Sequence, residues 1–152
     1  PTRIVELARE ATAAGTIAAV DAGPFRDAAL GRWHAIGPLE LLAPPEPARR
    51  GFALPAALAA ALCHPDRRVL CLADAEPLTR QTAELALAVR LALPIVIVAA
   101  GPSTGDVAAV ARRLAIPTLT AENTAAFRGA RGRALADARP AVIAVPAETA
   151  AV

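Results

Sequence analysis

Polar and apolar positions alternate along this chain in two periods, and the two periods take turns. From Thr2 to Ala14 the apolar residues Ile4, Val5, Leu7 and Ala8 recur at helical spacing, behind Thr2 as an N-cap and ahead of Gly15 as a stop. "TIAAVDAG", Thr16 to Gly23, is a short continuous apolar run of the kind that forms a strand buried on both faces. Pro24 opens a second helix to about Trp33, as proline does at a first turn. "LELLAPP" predicts a short strand that its prolines end, and "EPARRG" a polar connection.

The same alternation fills the rest of the chain. Phe52 to His64 is an alanine-rich helix and "RRVLCLAD" a strand. Pro77 to Ala92 is a helix, followed by "PIVIVAAG", the clearest strand of all. Thr104 to Leu114 is a helix, "PTLTAE" a weak strand, Thr124 to Ala138 a helix, and "PAVIAVPAE" the last strand. Strands separated by helices of this length are βαβ units. With right-handed crossovers they give an α/β, doubly wound, mostly parallel sheet of about six strands with helices on both faces. No repeat or low-complexity linker divides it, so residues 1–152 are read as one domain.

Composition narrows the function. All basic residues are Arg, with a net charge of only +2. The pairs Arg49-Arg50, Arg67-Arg68 and Arg112-Arg113 are scattered and lack interleaved aromatics, which argues against nucleic acid as a partner. The longest apolar candidate, Leu93 to Ala100, is strand-sized, so no membrane span is expected. The start resembles no signal peptide, and the expected compartment is the cytoplasm, where Cys63 and Cys71 would be buried free thiols. A chain that opens on Pro1 is also what a piece of a longer protein would look like.

In an open parallel sheet, ligands bind outside the carboxyl ends of the strands. Here those ends carry Asp21 and Gly23, then Asp74-Ala75-Glu76, then "AAGPSTGD" from Ala99 to Asp106, then Glu122. Asp74 is read first as a cap for the helix that follows, with a metal-ligand role as the alternative. Glu76 suits the first turn of that helix without any ligand. "GPSTGD" reads first as an ordinary capping box from Ser103 to Asp106, and otherwise as an anion-binding loop at Ser103 where Gly101 and Gly105 free the backbone. Without Lys it is no Walker loop. Cys63-His64 with Asp66 reads as a solvated turn, and His34 beside Trp33 has no acid or nucleophile near it in sequence.

Four stretches resemble the diphosphate-binding, C-terminal domain of thiamine diphosphate-dependent enzymes of the acetolactate synthase and benzoylformate decarboxylase group. They are "VDAG" (Val20 to Gly23), "GFALPAALAAALCHPDRRVLCLAD" (Gly51 to Asp74), "ELALAVRLALPIVIVAA" (Glu84 to Ala100) and "DVAAVARRLAIPTLTAEN" (Asp106 to Asn123). The resemblance implies a cofactor-binding edge made of Asp21, Gly23, Gly51, Asp74, Ala75, Glu76 and Gly101. In that family Mg²⁺ bridges the cofactor's phosphates, held by the Asp of a Gly-Asp-Gly-(Ser/Ala) motif and an Asn after the next strand. Hard cations take oxygen ligands, and glycines let the backbone approach phosphate. Asp74 would be the metal ligand.

The chain departs from that pattern. Ala73-Asp74-Ala75-Glu76-Pro77 replaces the glycine motif, Gly101-Pro102 stands where the Asn is expected, and only "GPSTG" precedes the next helix. Glu76 would add a carboxylate beside a diphosphate, and like charges about 4 Å apart cost on the order of 4 kcal/mol at an effective dielectric of 20. The family's activating glutamate lies on another domain. The sequence therefore predicts a domain that has lost thiamine diphosphate and Mg²⁺ and acts as a non-catalytic structural or interaction module. Two other readings stand beside it: the cofactor-binding portion of an active lyase or decarboxylase completed elsewhere, and a metal-independent anion binder. Arg49 and Arg50 would hold the anion, or pair with Glu76 and close the site. An alanine-rich surface fits a homo-oligomer or a pyrimidine-binding partner domain.

Overall fold

The computed structural model describes residues 1–10, 12–45 and 49–147. The expected helix position at Ala11, the first part of the polar connection (Glu46 to Ala48) and the last strand residue expected, Glu148, lie outside them. Six strands form one sheet, ordered β2-β1-β3-β4-β6-β5, and every adjacent pair is parallel. The strands are β1 (Ile17–Val20), β2 (Leu41–Leu42), β3 (Val69–Asp74), β4 (Ile95–Ala100), β5 (Thr118–Thr120) and β6 (Ala141–Val145). The helices are α1 (Thr2–Glu10), α2 (Pro24–Arg32), α3 (Ala53–Cys63), α4 (Ala75–Thr79), α5 (Thr82–Arg90), α6 (Thr104–Arg113) and α7 (Thr124–Ala136).

Because strand side chains alternate in direction, the apolar runs feed two cores. Ile17, Cys71, Ile97 and Val142 face one side, where α3, α4, α5 and α6 cover them. Val20, Leu72, Val98 and Ile143 face the other, under α1, α2 and α7. That two-sided burial is why the strands read as unbroken apolar runs rather than as alternation.

Helix ends follow local chemistry. α5 and α6 end alike, with Ala92 and Ala115 in the left-handed region (φ 48° and 56°). Beyond them Leu93 and Ile116 donate back to the carbonyls of Ala88 and Ala111 (3.0 and 2.9 Å), and Pro94 and Pro117 bar any continuation. α1 stops at Glu10, short of the expected Ala14, because Thr12 turns its N–H (3.2 Å) and hydroxyl (3.1 Å) onto the Arg9 carbonyl. Thr2 is the first residue of that helix rather than its cap. Cys71 is buried, but Cys63 is exposed, correcting the expectation of two buried thiols; both are free. Burial and the nearby Asp21 charge push the Cys71 thiol up, so it is a core residue and no nucleophile.

The edge strand β2 is anchored by Glu40, which is only 3 % exposed. Its two carboxylate oxygens accept the N–H groups of Gly15 (2.6 Å) and Ile36 (2.7 Å), joining the loops before β1 and β2. Those backbone donors, Ile36 foremost and then Gly15, hold its carboxyl below the usual glutamate range. A depressed acid contributes stability above its unfolded value, and that contribution disappears as pH falls through its folded value. Urea midpoints are accordingly expected to decline on acidification from neutrality to below pH ~4. In Glu40→Gln the midpoint should be lower at neutral pH and its acid slope shallower. An unchanged slope would show that Glu40 is not one of the groups responsible.

Candidate functional site

The connection from β1 runs to one side of the sheet and that from β3 to the other, so the strand order reverses between these neighbours. Such a switch point leaves a crevice at the carboxyl ends. Asp21 and Asp74 stand on its two sides, Asp21 just past β1 and Asp74 as the last residue of β3.

Asp21 is 1 % exposed. Its Oδ1 accepts two backbone N–H groups, from Gly51 (2.8 Å) and Ala53 (3.0 Å), and so caps the start of α3 from another strand. Its Oδ2 is buried with no hydrogen-bond partner among the described residues. Gly51 lies at φ 100°, a conformation that favours glycine, and its carbonyl accepts from Gln81 Nε2 (2.8 Å). A Cβ there would reach within 3.5 Å of that amide. The loop entering α3 is therefore latched on both sides.

This latch explains a correction. The expected single helix from Pro77 to Ala92 is two helices, α4 and α5, separated at Arg80-Gln81. The turns Arg80 N–H to Pro77 O (3.2 Å) and Gln81 N–H to Leu78 O (3.1 Å) tighten the chain there, and Gln81 reaches Gly51 from this break. Sequence reasoning missed Gln81. The signal was the polar run Thr79-Arg80-Gln81-Thr82 inside an otherwise apolar segment.

The latched loop carries Arg49 and Arg50. Arg49 is exposed. Arg50 points back across the crevice, its Nε 3.2 Å from Asp74 Oδ2. The N–H direction does not complete a hydrogen bond at that oxygen. The Asp74 side chain is 20 % exposed, against 56 % for Arg50. Burial raises the Asp74 carboxyl above the usual range and the Asp21 charge adds to this, while Arg50 pulls the other way.

Several expected roles change here. Asp74 does not cap α4 through its side chain. Glu76 pairs with Arg80 along α4, so it is not the partner of Arg50. The Ser103–Asp106 capping box does not form either. Ser103 has φ −87° and ψ 20°, outside the extended region that aims a hydroxyl at the helix start, and makes no side-chain cap. Asn123, which was not singled out, does cap, its Oδ1 accepting from Ala126 N–H at the start of α7 (2.9 Å).

The structure thus gathers Asp21, Arg50, Gly51, Asp74 and Gln81 into one network. Ala75 is buried beside it. Gly101 follows Ala100, the register partner of Asp74, at φ 120°, with its N–H donated to Val145 O (3.1 Å). Among the described residues Gly23 (φ 82°) and Ser103 stand outside the network, their carbonyls accepting instead from Asp27 N–H (3.0 Å) and Val107 N–H (3.2 Å) at the starts of α2 and α6. Among the described residues no group of three or more His, Cys, Asp or Glu is placed to hold a metal ion. No helix there is long and apolar enough to cross a membrane.

No family model and no curated protein matches the sequence. Solved structures match the fold. A protein from Mycobacterium smegmatis described as a thiamin diphosphate-dependent enzyme superposes with a TM-score of 0.85 at 19 % identity, over 96 % of this chain and 31 % of its own. A thiamine diphosphate-dependent 4-hydroxybenzoylformate decarboxylase from Rhodococcus jostii RHA1 gives 0.84 at 21 % identity, over 98 % of this chain and 32 % of its own. The chain spans about a third of the length of these structures.

Proposed function

From a chain with the fold of a domain of thiamine diphosphate-dependent enzymes, we propose a non-catalytic structural or interaction domain whose cofactor edge no longer takes thiamine diphosphate and Mg²⁺. The observation that carries this reading is the donor set at the switch point. A metal ion holding a diphosphate needs several oxygen ligands. Asp74 supplies one carboxylate, which is already ion-paired with Arg50. The next strand ends in Ala100-Gly101-Pro102, with no side-chain oxygen to offer, and the Gly101 N–H is spent on Val145. The residues present do not fit the group.

An interaction role draws support from α3, which carries no charged residue and leaves Pro55, Ala59 and Leu62 exposed. A helix apolar all round suits burial against another copy or another domain.

Calorimetric titration of thiamine diphosphate, with Mg²⁺ and then with EDTA, tests the reading. No heat is expected in either buffer. Metal-dependent binding abolished in Asp74→Ala would overturn it in favour of a cofactor-binding portion completed by another domain. Metal-independent binding of the diphosphate, lost in Arg49→Ala, would make the crevice an anion site.

A further inference from the structure

Four neighbouring strands of the sheet, β3, β4, β6 and β5, receive the chain from connections that carry arginine. Arg67 and Arg68 immediately precede β3, and Arg139 stands two residues before β6. Arg90 and Arg113 close α5 and α6, each five residues before the strand that follows. These two connections share one pattern, Arg-Leu-Ala-Leu-Pro and Arg-Leu-Ala-Ile-Pro, with the alanine left-handed in both. Arginines dispersed along the sequence therefore meet at the amino end of the sheet. At a spacing of about 4.8 Å per strand, the row spans about 14 Å.

The row meets little opposing charge. The acids of these four connections are Asp66 and Asp137, and Asp137 is paired with Arg139 at 2.9 Å. Arg68 donates to the Asp137 carbonyl (3.0 Å), which balances none of its charge. Arg90, Arg112 and Arg113 are exposed and, among the described residues, have no ion pair. At the other end of the sheet, by contrast, Arg50 and Arg80 are matched to Asp74 and Glu76. Cations are favoured at helix C-termini, which accounts for Arg90 and Arg113. It does not account for Arg68 and Arg139, which stand on no helix. Two hollows lie along the row. One of about 250 Å³ is bounded by Asp66, Arg67, Arg68 and Pro94. The other, of about 160 Å³, has Arg139 on an otherwise apolar wall that includes Val89, Ile116 and Pro117.

We propose that this amino-end face is a docking surface for an acidic segment of a partner protein, its carboxylates on the arginines and an apolar side chain in the smaller hollow. Guanidinium groups match carboxylates through a planar, two-bonded fork, and complementary charge selects such a partner. Nucleic acid fits less well: these connections carry no Phe, Tyr or Trp on which a base could stack, and Asp66 would stand against phosphate. The inference rests on the reading of the chain as an interaction domain. It adds the chemistry of the partner, at the end of the sheet opposite Asp74.

Fluorescence anisotropy tests it with a labelled peptide of repeated Glu-Glu-Leu, its Gln-Gln-Leu counterpart and an oligodeoxythymidine of similar length. The wild type should bind the acidic peptide saturably, lose affinity as ionic strength rises from about 0.01 M to about 0.15 M, and leave the glutamine peptide free. Arg90→Glu/Arg113→Glu should weaken binding about tenfold with an unchanged circular dichroism spectrum. Arg90→Gln/Arg113→Gln, which removes the charge without reversing it, should fall between that variant and the wild type. Arg49→Glu/Arg80→Glu makes the same change of net charge at the other end of the sheet and should weaken binding less than about twofold. No binding of the acidic peptide, or an equal loss in the two charge-reversed variants, would overturn the proposal. Tighter binding of the oligonucleotide than of the peptide would overturn it in favour of nucleic acid. Calorimetry with thiamine diphosphate judges the cofactor edge separately: a chain that ignores both the cofactor and the peptide sinks only the surface proposed here.

Discussion

Asp21→Ala is expected to cost the domain about 2–4 kcal/mol, and Asp21→Asn less than about 1 kcal/mol. The difference follows from what each substitution leaves behind. Alanine removes the acceptor shared by the N–H groups of Gly51 and Ala53, the latter fully buried. A buried donor left without a partner costs about 1–3 kcal/mol, and two are stranded here. Part of that loss is offset, because alanine also removes the unpartnered Oδ2 and the negative charge beside Asp74. Asparagine keeps an oxygen at the Oδ1 position and so keeps both bonds. It relieves the like-charge repulsion at Asp74 and exchanges one orphaned buried atom for another. Urea denaturation at neutral pH, fitted as a two-state transition, measures both variants. Equal destabilisation by alanine and asparagine would mean that the charge of Asp21, not its acceptor role, holds the α3 loop. A neutral alanine variant would dismiss the latch altogether.

The same residue marks the boundary of what the sequence disclosed. An aspartate closing an apolar run was legible as a strand-end residue at the crevice, because strand ends can be read from hydrophobic length alone. Its two acceptor bonds, to residues 30 and 32 positions away, depend on where α3 begins in space, and no local pattern carries that. The sheet itself was legible for a related reason. Strands buried on both faces must be apolar without interruption, as in "VLCLA" and "IVIVAA". The edge strands were legible more faintly: "LELLAPP" and "PTLTAE" do hold β2 and β5, but β2 is only two residues long and β5 is half-exposed Thr-Leu-Thr, so neither shows the unbroken apolar run of a central strand. Charge pairing was the least legible layer. Arg50 was recognised as close to the crevice, yet its partner is Asp74 because Arg80, one helical turn beyond Glu76, takes that carboxylate first. Local i,i+4 pairing is cheap to form and leaves the more distant arginine to the more buried acid.

Phe25→Ala should be the most damaging single substitution considered, with an expected loss of about 3–5 kcal/mol. Phe25 is fully buried and is the largest such side chain. The helix that carries it has little else to hold it: of the residues α2 buries, the other two are Ala28 and Ala29. Gly23, at φ 82°, and Pro24 turn the chain so that this ring enters the core in the first turn. It joins Val20, Leu72 and Trp33 there. Truncation removes the transfer energy of a whole ring and leaves a cavity that two alanines cannot fill. Folded domains have only about 5–15 kcal/mol in hand, so the variant should stand near its unfolding threshold at 25 °C. Leu30→Ala is the matched control on the same helix, since Leu30 is 56 % exposed and its loss should fall within about 0.5 kcal/mol. Urea midpoints give both energies, and amide exchange over residues 24–32 locates the loss. A Phe25→Ala penalty no larger than that of Leu30→Ala would mean that α2 is held by Arg26, whose Nε donates to Pro44 O at 2.9 Å, rather than by its ring. A large penalty, with α2 amides exchanging first, would identify this one aromatic as the fastening of the chain that leaves the Asp21 edge.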